Sequence, residues 1–166
     1  MNTKIQKIKF NDLSDCIFNP ELKRGSDANG ELSIARIECM SHHLRIDFVY
    51  RASNRYTNGG WISLEPECYV ESSDHQFKCI LVQADNIPLA PKKHYFSRKG
   101  ELWSFTLWFT PLPDGIKEIN FIEKLNGRTL LRHVQGNNYE ESGNYFNFFG
   151  IKLEKTNHIR IDVCAN

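Results

Sequence analysis

The residues of this chain best suited to chemistry are its histidines, cysteines, clustered carboxylates and aromatic rings, and their spacing restricts what each can do. His42 and His43 are adjacent. Neighbours on a strand point to opposite faces, so a regular strand cannot aim both at one metal ion. No H-x-H, H-x-x-x-H or H-E-x-x-H spacing occurs, and no two of Cys16, Cys39, Cys68, Cys79 and Cys164 form a C-x-x-C pair. Zinc ribbons, zincin helices and thioredoxin-like redox pairs therefore have no sequence support. Nucleophile elbows and phosphate loops are absent too, since the chain carries no G-x-S-x-G, G-x-x-x-x-G-K-[ST] or G-x-G-x-x-G. No catalytic residue, metal ligand or cofactor is assigned.

The carboxylates Glu65, Glu67, Glu71 and Asp74 gather around one expected hairpin. Glu65 and Glu67 would share a face on a regular strand. Glycoside hydrolysis needs two carboxylates set across a cleft at a defined separation, and this spacing does not supply that. A solvated, charged strand edge that deters pairing with other chains is the expected role. A calcium site built from these oxygens is the alternative. Glu123, which follows Asn-Phe-Ile, is expected to bond backbone at a loop corner.

The rings carry the sharper hypothesis: the chain has 11 Phe, 6 Tyr and 3 Trp. Over Glu101 to Thr110, Trp103, Phe105, Leu107 and Phe109 share one parity, which marks the core face. Trp108 then points outward with Leu102 and Thr106, to be covered by a loop, a second subunit or a ligand. From Tyr145 to Leu153 both parities are apolar, with Tyr145, Phe149, Ile151 and Leu153 against Phe146 and Phe148. Either that strand is covered on both sides or one aromatic face is exposed. Exposed rings on a β-sandwich suit a sugar ring or an apolar partner surface. Trp108, Phe146 and Phe148 are accordingly the candidate binding residues. The segment Pro91-Lys-Lys-His-Tyr-Phe-Ser-Arg-Lys99 interleaves cations with rings, a mixture that binds single strands or acidic glycans, though a solvated loop is the simpler expectation.

The elements that must hold these residues are strands. Leu44, Ile46, Phe48 and Tyr50 alternate with His43, Arg45, Asp47 and Arg51, the pattern of a strand buried on one face. Glu31 to Met40 is a second strand whose apolar parity shifts between Ile34 and Ile37, as a bulge requires. Ser41-His42 joins the two as a tight hairpin. Further strands are expected at Trp61 to Leu64, Cys68 to Glu71, Phe77 to Val82 (a buried-looking run), Glu101 to Thr110, Ile119 to Ile122, Leu130 to Val134, Tyr145 to Leu153 and His158 to Val163. Pro66 separates the first two of these. Pro111-Leu-Pro113 and Asp114-Gly115 end and turn the aromatic strand, and Asn126-Gly127 marks another turn. Cys16 to Gly30, Ile87 to Gly100 and Gln135 to Gly143 read as irregular. About nine to ten short strands and no amphipathic helix of three turns predict a single all-β domain, an antiparallel β-sandwich of immunoglobulin-like or jelly-roll type.

Composition agrees with one globular domain: 166 residues, 40% hydrophobic and 25% charged. A net charge of +1 disfavours a nucleic-acid partner held by global charge. No apolar run is long enough to span a bilayer or follows the N-terminal lysines as an export signal would. A soluble, cytoplasmic chain is the default expectation, with an exported form if a leader has been removed. The odd cysteine count predicts reduced thiols, mostly buried.

Several segments taken together resemble an uncharacterised β-sandwich family common in Bacteroidetes proteins. They are Trp61-Ile-Ser-Leu64, Cys68-Tyr-Val-Glu71, Asp85-Asn-Ile-Pro-Leu89, Phe105-Thr-Leu-Trp-Phe-Thr-Pro-Leu-Pro113, Ile119-Asn-Phe-Ile-Glu123 and Phe146-Asn-Phe-Phe-Gly-Ile-Lys-Leu153. Members of that family often stand ahead of a thioredoxin-like domain or alone in exported proteins. The resemblance covers about residues 31 to 153 and implies a fold and a lineage; its motifs are turn and core features. The expected function is a non-catalytic binding module for a protein or glycan ligand, with homodimer formation as a further use of the aromatic face. The alternative is a small enzyme acting on a sugar or small molecule in a sandwich cleft.

Overall fold

A computed structural model describes residues 16–23, 31–125 and 145–154. No helix occurs among them. The strands are β1 (Cys16–Phe18), β2 (Leu32–Cys39), β3 (Leu44–Arg51), β4 (Trp61–Ile62), β5 (Tyr69–Ser72), β6 (Lys78–Asp85), β7 (His94–Tyr95), β8 (Leu102–Phe109), β9 (Glu118–Ile122) and β10 (Asn147–Lys152). Eight of these form one antiparallel sheet in the order β1-β2-β3-β8-β6-β5-β9-β10, while β4 and β7 pair as a separate ribbon.

The sheet curls because β6 is shared. Its first residues pair with β5 and its later ones with β8, and the register slips between Leu81 and Gln83. A bulge at that point bends the strand and turns the sheet through a corner. The two halves then face one another across aromatic rings. Phe48 of β3 lies 5.1 Å from Phe121 of β9 and 6.3 Å from Phe148 of β10, and Phe109 of β8 lies 6.2 Å from Phe121. Leu44, Ile46, Phe48 and Tyr50 are all buried, as the alternation in β3 predicts. Each such side chain contributes about 1.5–3 kcal/mol of transfer free energy.

The hairpin between β2 and β3 closes on Ser41 and His42, with the Met40 N–H donating to the His43 carbonyl at 2.9 Å. The expected bulge in β2 lies between Ile34 and Arg36. In β10, Gly150 adopts φ +63° within a bulge between Phe148 and Ile151. A Cβ at Gly150 would lie 2.5 Å from the Lys23 side chain, so the position needs glycine for its backbone angle and for the close approach.

Four expectations need correction. The run Phe77 to Val82 is not buried throughout: Phe77, Ile80 and Val82 are exposed. Only Cys79 and Leu81 turn inward here, and Val82 shares the outward parity of Ile80. Cys16 to Gly30 is not wholly irregular, since β1 adds to the edge of β2. Trp103 is half-buried rather than central, stacked on His94 at 3.8 Å with its Nε1 donating to the Asn86 carbonyl. Glu65 and Glu67 share no strand face, because the chain between Leu64 and Cys68 is a turn. The expected strands at 130–134 and 158–163, the turn at 126–127 and the polar stretch 135–143 lie outside the described residues. Cys68 and Cys79 are buried thiols, and burial together with the nearby Glu123 carboxylate pushes the Cys68 thiol up to about 12. Among the described residues no helix is long and apolar enough to cross a membrane.

Candidate functional site

Antiparallel register assembles the outer face of the first half-sheet into rows. One row runs Arg36, Asp47, Thr106, Asp85 across β2, β3, β8 and β6. The next runs Glu38, Arg45, Trp108, Gln83 across the same strands. Parity puts Arg45, Asp47, Thr106 and Trp108 on this face, opposite the buried residues of β3 and β8. Two bulges complete the rows. The slip after Ile34 turns Arg36 and Glu38 outward, and the slip after Leu81 does the same for Gln83 and Asp85.

The side chains bond to one another across the rows. Asp47 accepts from Arg36 Nε at 2.6 Å, from Arg45 Nε at 3.0 Å and from Thr106 Oγ1 at 2.7 Å. Asp85 accepts from Trp108 Nε1 at 2.7 Å through one oxygen and from Gln83 Nε2 at 2.6 Å through the other. The Arg45 guanidinium lies over the Trp108 ring, 4.9 Å from its centroid, and the His43 ring meets it edge-on at 4.8 Å. These contacts hold a half-buried indole in one orientation, with the guanidinium over one of its faces. Beside it a groove of about 440 Å³ is lined in part by Arg45, Asp47, Asp85, Asn86, Ser104 and Thr106.

Asp47 and Asp85 stay ionised on this face. Partial burial works against the Asp47 charge, but the hydrogen bonds from Thr106, Arg45 and Arg36 outweigh it and hold the carboxyl below its ordinary value. Hydrogen bonds from Gln83 and Trp108 lower Asp85 as well.

Trp108 therefore stands on the outer face, as its parity predicts. Phe146 and Phe148 do not: both are buried. Tyr50 packs edge-on against Phe146, and Phe148 faces Phe48 and Phe121. The expected exposed aromatic face on this strand does not form, because the bulge at Gly150 shifts the parity. Phe148 and Ile151 both point inward, leaving Phe149 half-buried. Sequence reasoning singled out Trp108 but missed Arg36 and Asp85 as its neighbours. The β2 parity shift was a signal for Arg36; Asp85 had none, since its bulge lies in a segment read as a plain buried run.

A second polar cluster lies inside. Glu123 is buried, its Oε1 accepting the Glu65 N–H at 3.0 Å and its Oε2 the Phe146 N–H at 2.6 Å. It is thus the backbone-bonding corner residue that its position after Asn-Phe-Ile suggests. Burial dominates its ionisation and pushes the carboxyl up to about 7 despite those two donors. Among the described residues no group of three or more histidines, cysteines and carboxylates is placed to hold a metal ion. Of the hairpin carboxylates, Asp74 accepts the Ser72 hydroxyl and Glu71 meets the His75 ring at 3.1 Å.

No family model, curated protein or solved structure matches this chain.

Proposed function

We propose that this protein is a non-catalytic binding module whose outer face around Trp108 takes a glycan. The observation that carries the reading is a half-buried indole on the outer face, fixed by Asp85, Arg45 and His43 at the margin of a groove lined by charged, polar and apolar groups. A sugar offers apolar C–H faces to a ring and hydroxyls to charged and amide groups, and this face presents both within two rows of one sheet. Fixed side chains lower the ordering cost of binding. A glycosidase needs one carboxyl kept protonated as general acid, and the two carboxyls lining the groove, Asp47 and Asp85, are both held ionised, which favours binding over hydrolysis by this pair. A glycan array followed by calorimetry on the best binder tests the reading. Trp108→Ala should abolish binding while the protein remains folded. Unchanged binding by that variant, or turnover of a bound glycan, would overturn it.

A further inference from the structure

The ribbon of β4 and β7 presents a second, differently charged surface. Trp61 pairs with Tyr95 and Ile62 with His94. Alternation sends one pair each way. Ile62 is buried and His94 stacks on Trp103, so that face of the ribbon packs onto the body of the protein. Trp61 and Tyr95 share the other face and are 49% and 65% exposed. The loop before the ribbon extends this surface: the exposed Tyr56 ring lies against Gly60, where a Cβ would be 2.9 Å from Tyr56 Cδ2. Gly59, at φ +87°, lets the same loop close on the segment after β7, since a Cβ there would sit 2.4 Å from the Arg98 carbonyl oxygen.

Charge on these two segments is one-sided. Residues 51–61 and 91–101 carry Arg51, Arg55, Lys92, Lys93, Arg98 and Lys99 against the single carboxylate Glu101, which accepts the Ser97 N–H. The whole chain is only +1, so these two segments are locally positive, with Glu31 beside Tyr50 as the neighbouring carboxylate at the Arg51 end. Lys93 Nζ lies 3.8 Å from the centroid of the Trp61 ring.

We infer that the Trp61–Tyr95 face, with Lys93 and the neighbouring segment that carries Arg98, binds an acidic polysaccharide, its carboxylates or sulfates on the cations and a sugar C–H face on the exposed Tyr95 ring. The capped indole separates this ligand from a nucleic-acid strand. Stacking of successive bases needs a run of bare rings, and the Lys93 ammonium occupies a face of Trp61, whereas an anionic sugar substituent binds that ammonium where it stands and a single sugar needs only the exposed Tyr95 ring. The surface is distinct from the Trp108 groove and does not rest on it.

The test uses the full chain with immobilised heparin, polygalacturonate, neutral dextran and a single-stranded oligonucleotide. At about 0.1 M salt, heparin or polygalacturonate should bind and dextran should not. Binding should collapse toward 1 M salt, where the screening length falls to about 3 Å. Whichever polymer binds more tightly shows whether sulfate or carboxylate is preferred. Lys93→Gln and Arg98→Gln should each weaken binding roughly tenfold, the scale of one charge-assisted hydrogen bond. Trp61→Ala should weaken it with the salt dependence unchanged, and Trp108→Ala should leave it unaltered. Melting curves confirm that each variant is folded; if Trp61→Ala is not, Tyr95→Ala replaces it as the ring variant. Failure of both acidic polymers to bind, tighter binding of the oligonucleotide, or full binding by Lys93→Gln and the ring variant would each overturn the inference.

Discussion

Asp47 and Glu123 are carboxylates drawn out of bulk water into opposite electrostatic settings. Asp47 sits on the outer face of β3 between two guanidinium groups and a hydroxyl. Glu123 follows β9 at an inner corner and accepts two backbone N–H groups. Each has well-placed donors on both oxygens. The donors to Asp47 bring positive charge and those to Glu123 do not, so Asp47 is held low while burial pushes Glu123 up to about 7. Hydrogen bonds satisfy lone pairs, but compensation of the charge decides which protonation state the fold prefers. The outer face can keep a fixed array of ions beside Trp108; the corner spends its carboxyl on closing the chain.

Truncating the inner carboxyl should have the largest effect. Glu123→Ala leaves the Glu65 and Phe146 N–H groups without their acceptor, and each stranded donor costs about 1–3 kcal/mol. A loss of about 2–6 kcal/mol in urea unfolding is expected near pH 4.5, before the wild-type carboxyl ionises. Glu123→Gln keeps one acceptor oxygen and should lose roughly half as much. Equal stability of Glu123→Ala and wild type would remove the inner half of the contrast.

The two groups should also slope stability oppositely with pH. The folded value of Glu123 lies above its unfolded one, so its contribution is complete below pH 4.5 and is lost as pH rises through about 7. That rise should cost on the order of 3 kcal/mol, and the Glu123→Gln variant should lack it. Asp47 is lowered from 3.8, so its contribution is present above that pH and is lost as pH falls through the lower folded value. Urea midpoints at several pH values, compared among wild type, Glu123→Gln and Asp47→Asn, would separate the two limbs.

Asp47→Ala should cost less than the inner truncation, about 1–2 kcal/mol, because water can solvate the half-buried guanidinium groups it releases. A loss as large as that of Glu123→Ala would mean that the outer network is as dependent on its acceptor as the corner is. The smallest effect is expected at Trp108. Its ring is half-buried on the outer face and is not packed in the core, so Trp108→Ala should lower stability by only about 1 kcal/mol, short of the roughly 3–5 kcal/mol for truncating a buried large aromatic. Thermal melts of the same preparation used for glycan binding would read this directly.

Much of the fold was legible in the residues because side-chain alternation is a local property. Leu44 to Arg51 announced a one-sided strand, the parity shift between Ile34 and Ile37 announced a bulge, and Pro111-Leu-Pro113 announced the end of β8. Trp108 could be placed outside from its own strand alone. Phe146 and Phe148 could not be placed, because both parities of their strand are apolar and the bulge at Gly150 interrupts the count. A segment of only three residues such as β1 gave no periodic signal, and its pairing with β2 supplies the reason it is a strand.

Local alternation of side chains was enough to specify a chain built from antiparallel strands and to mark which faces of β3 and β8 are inner and outer. Nothing local stated that Arg36, Asp47, Thr106 and Asp85 would share a row. That row depends on strand order, on register and on two bulges, which are settled by pairing between segments far apart in the chain. The protonation preferences of Asp47 and Glu123 belong to the tertiary structure for the same reason. Each is set by how much water is removed and how much opposite charge is brought near, and the folded surroundings alone supply both.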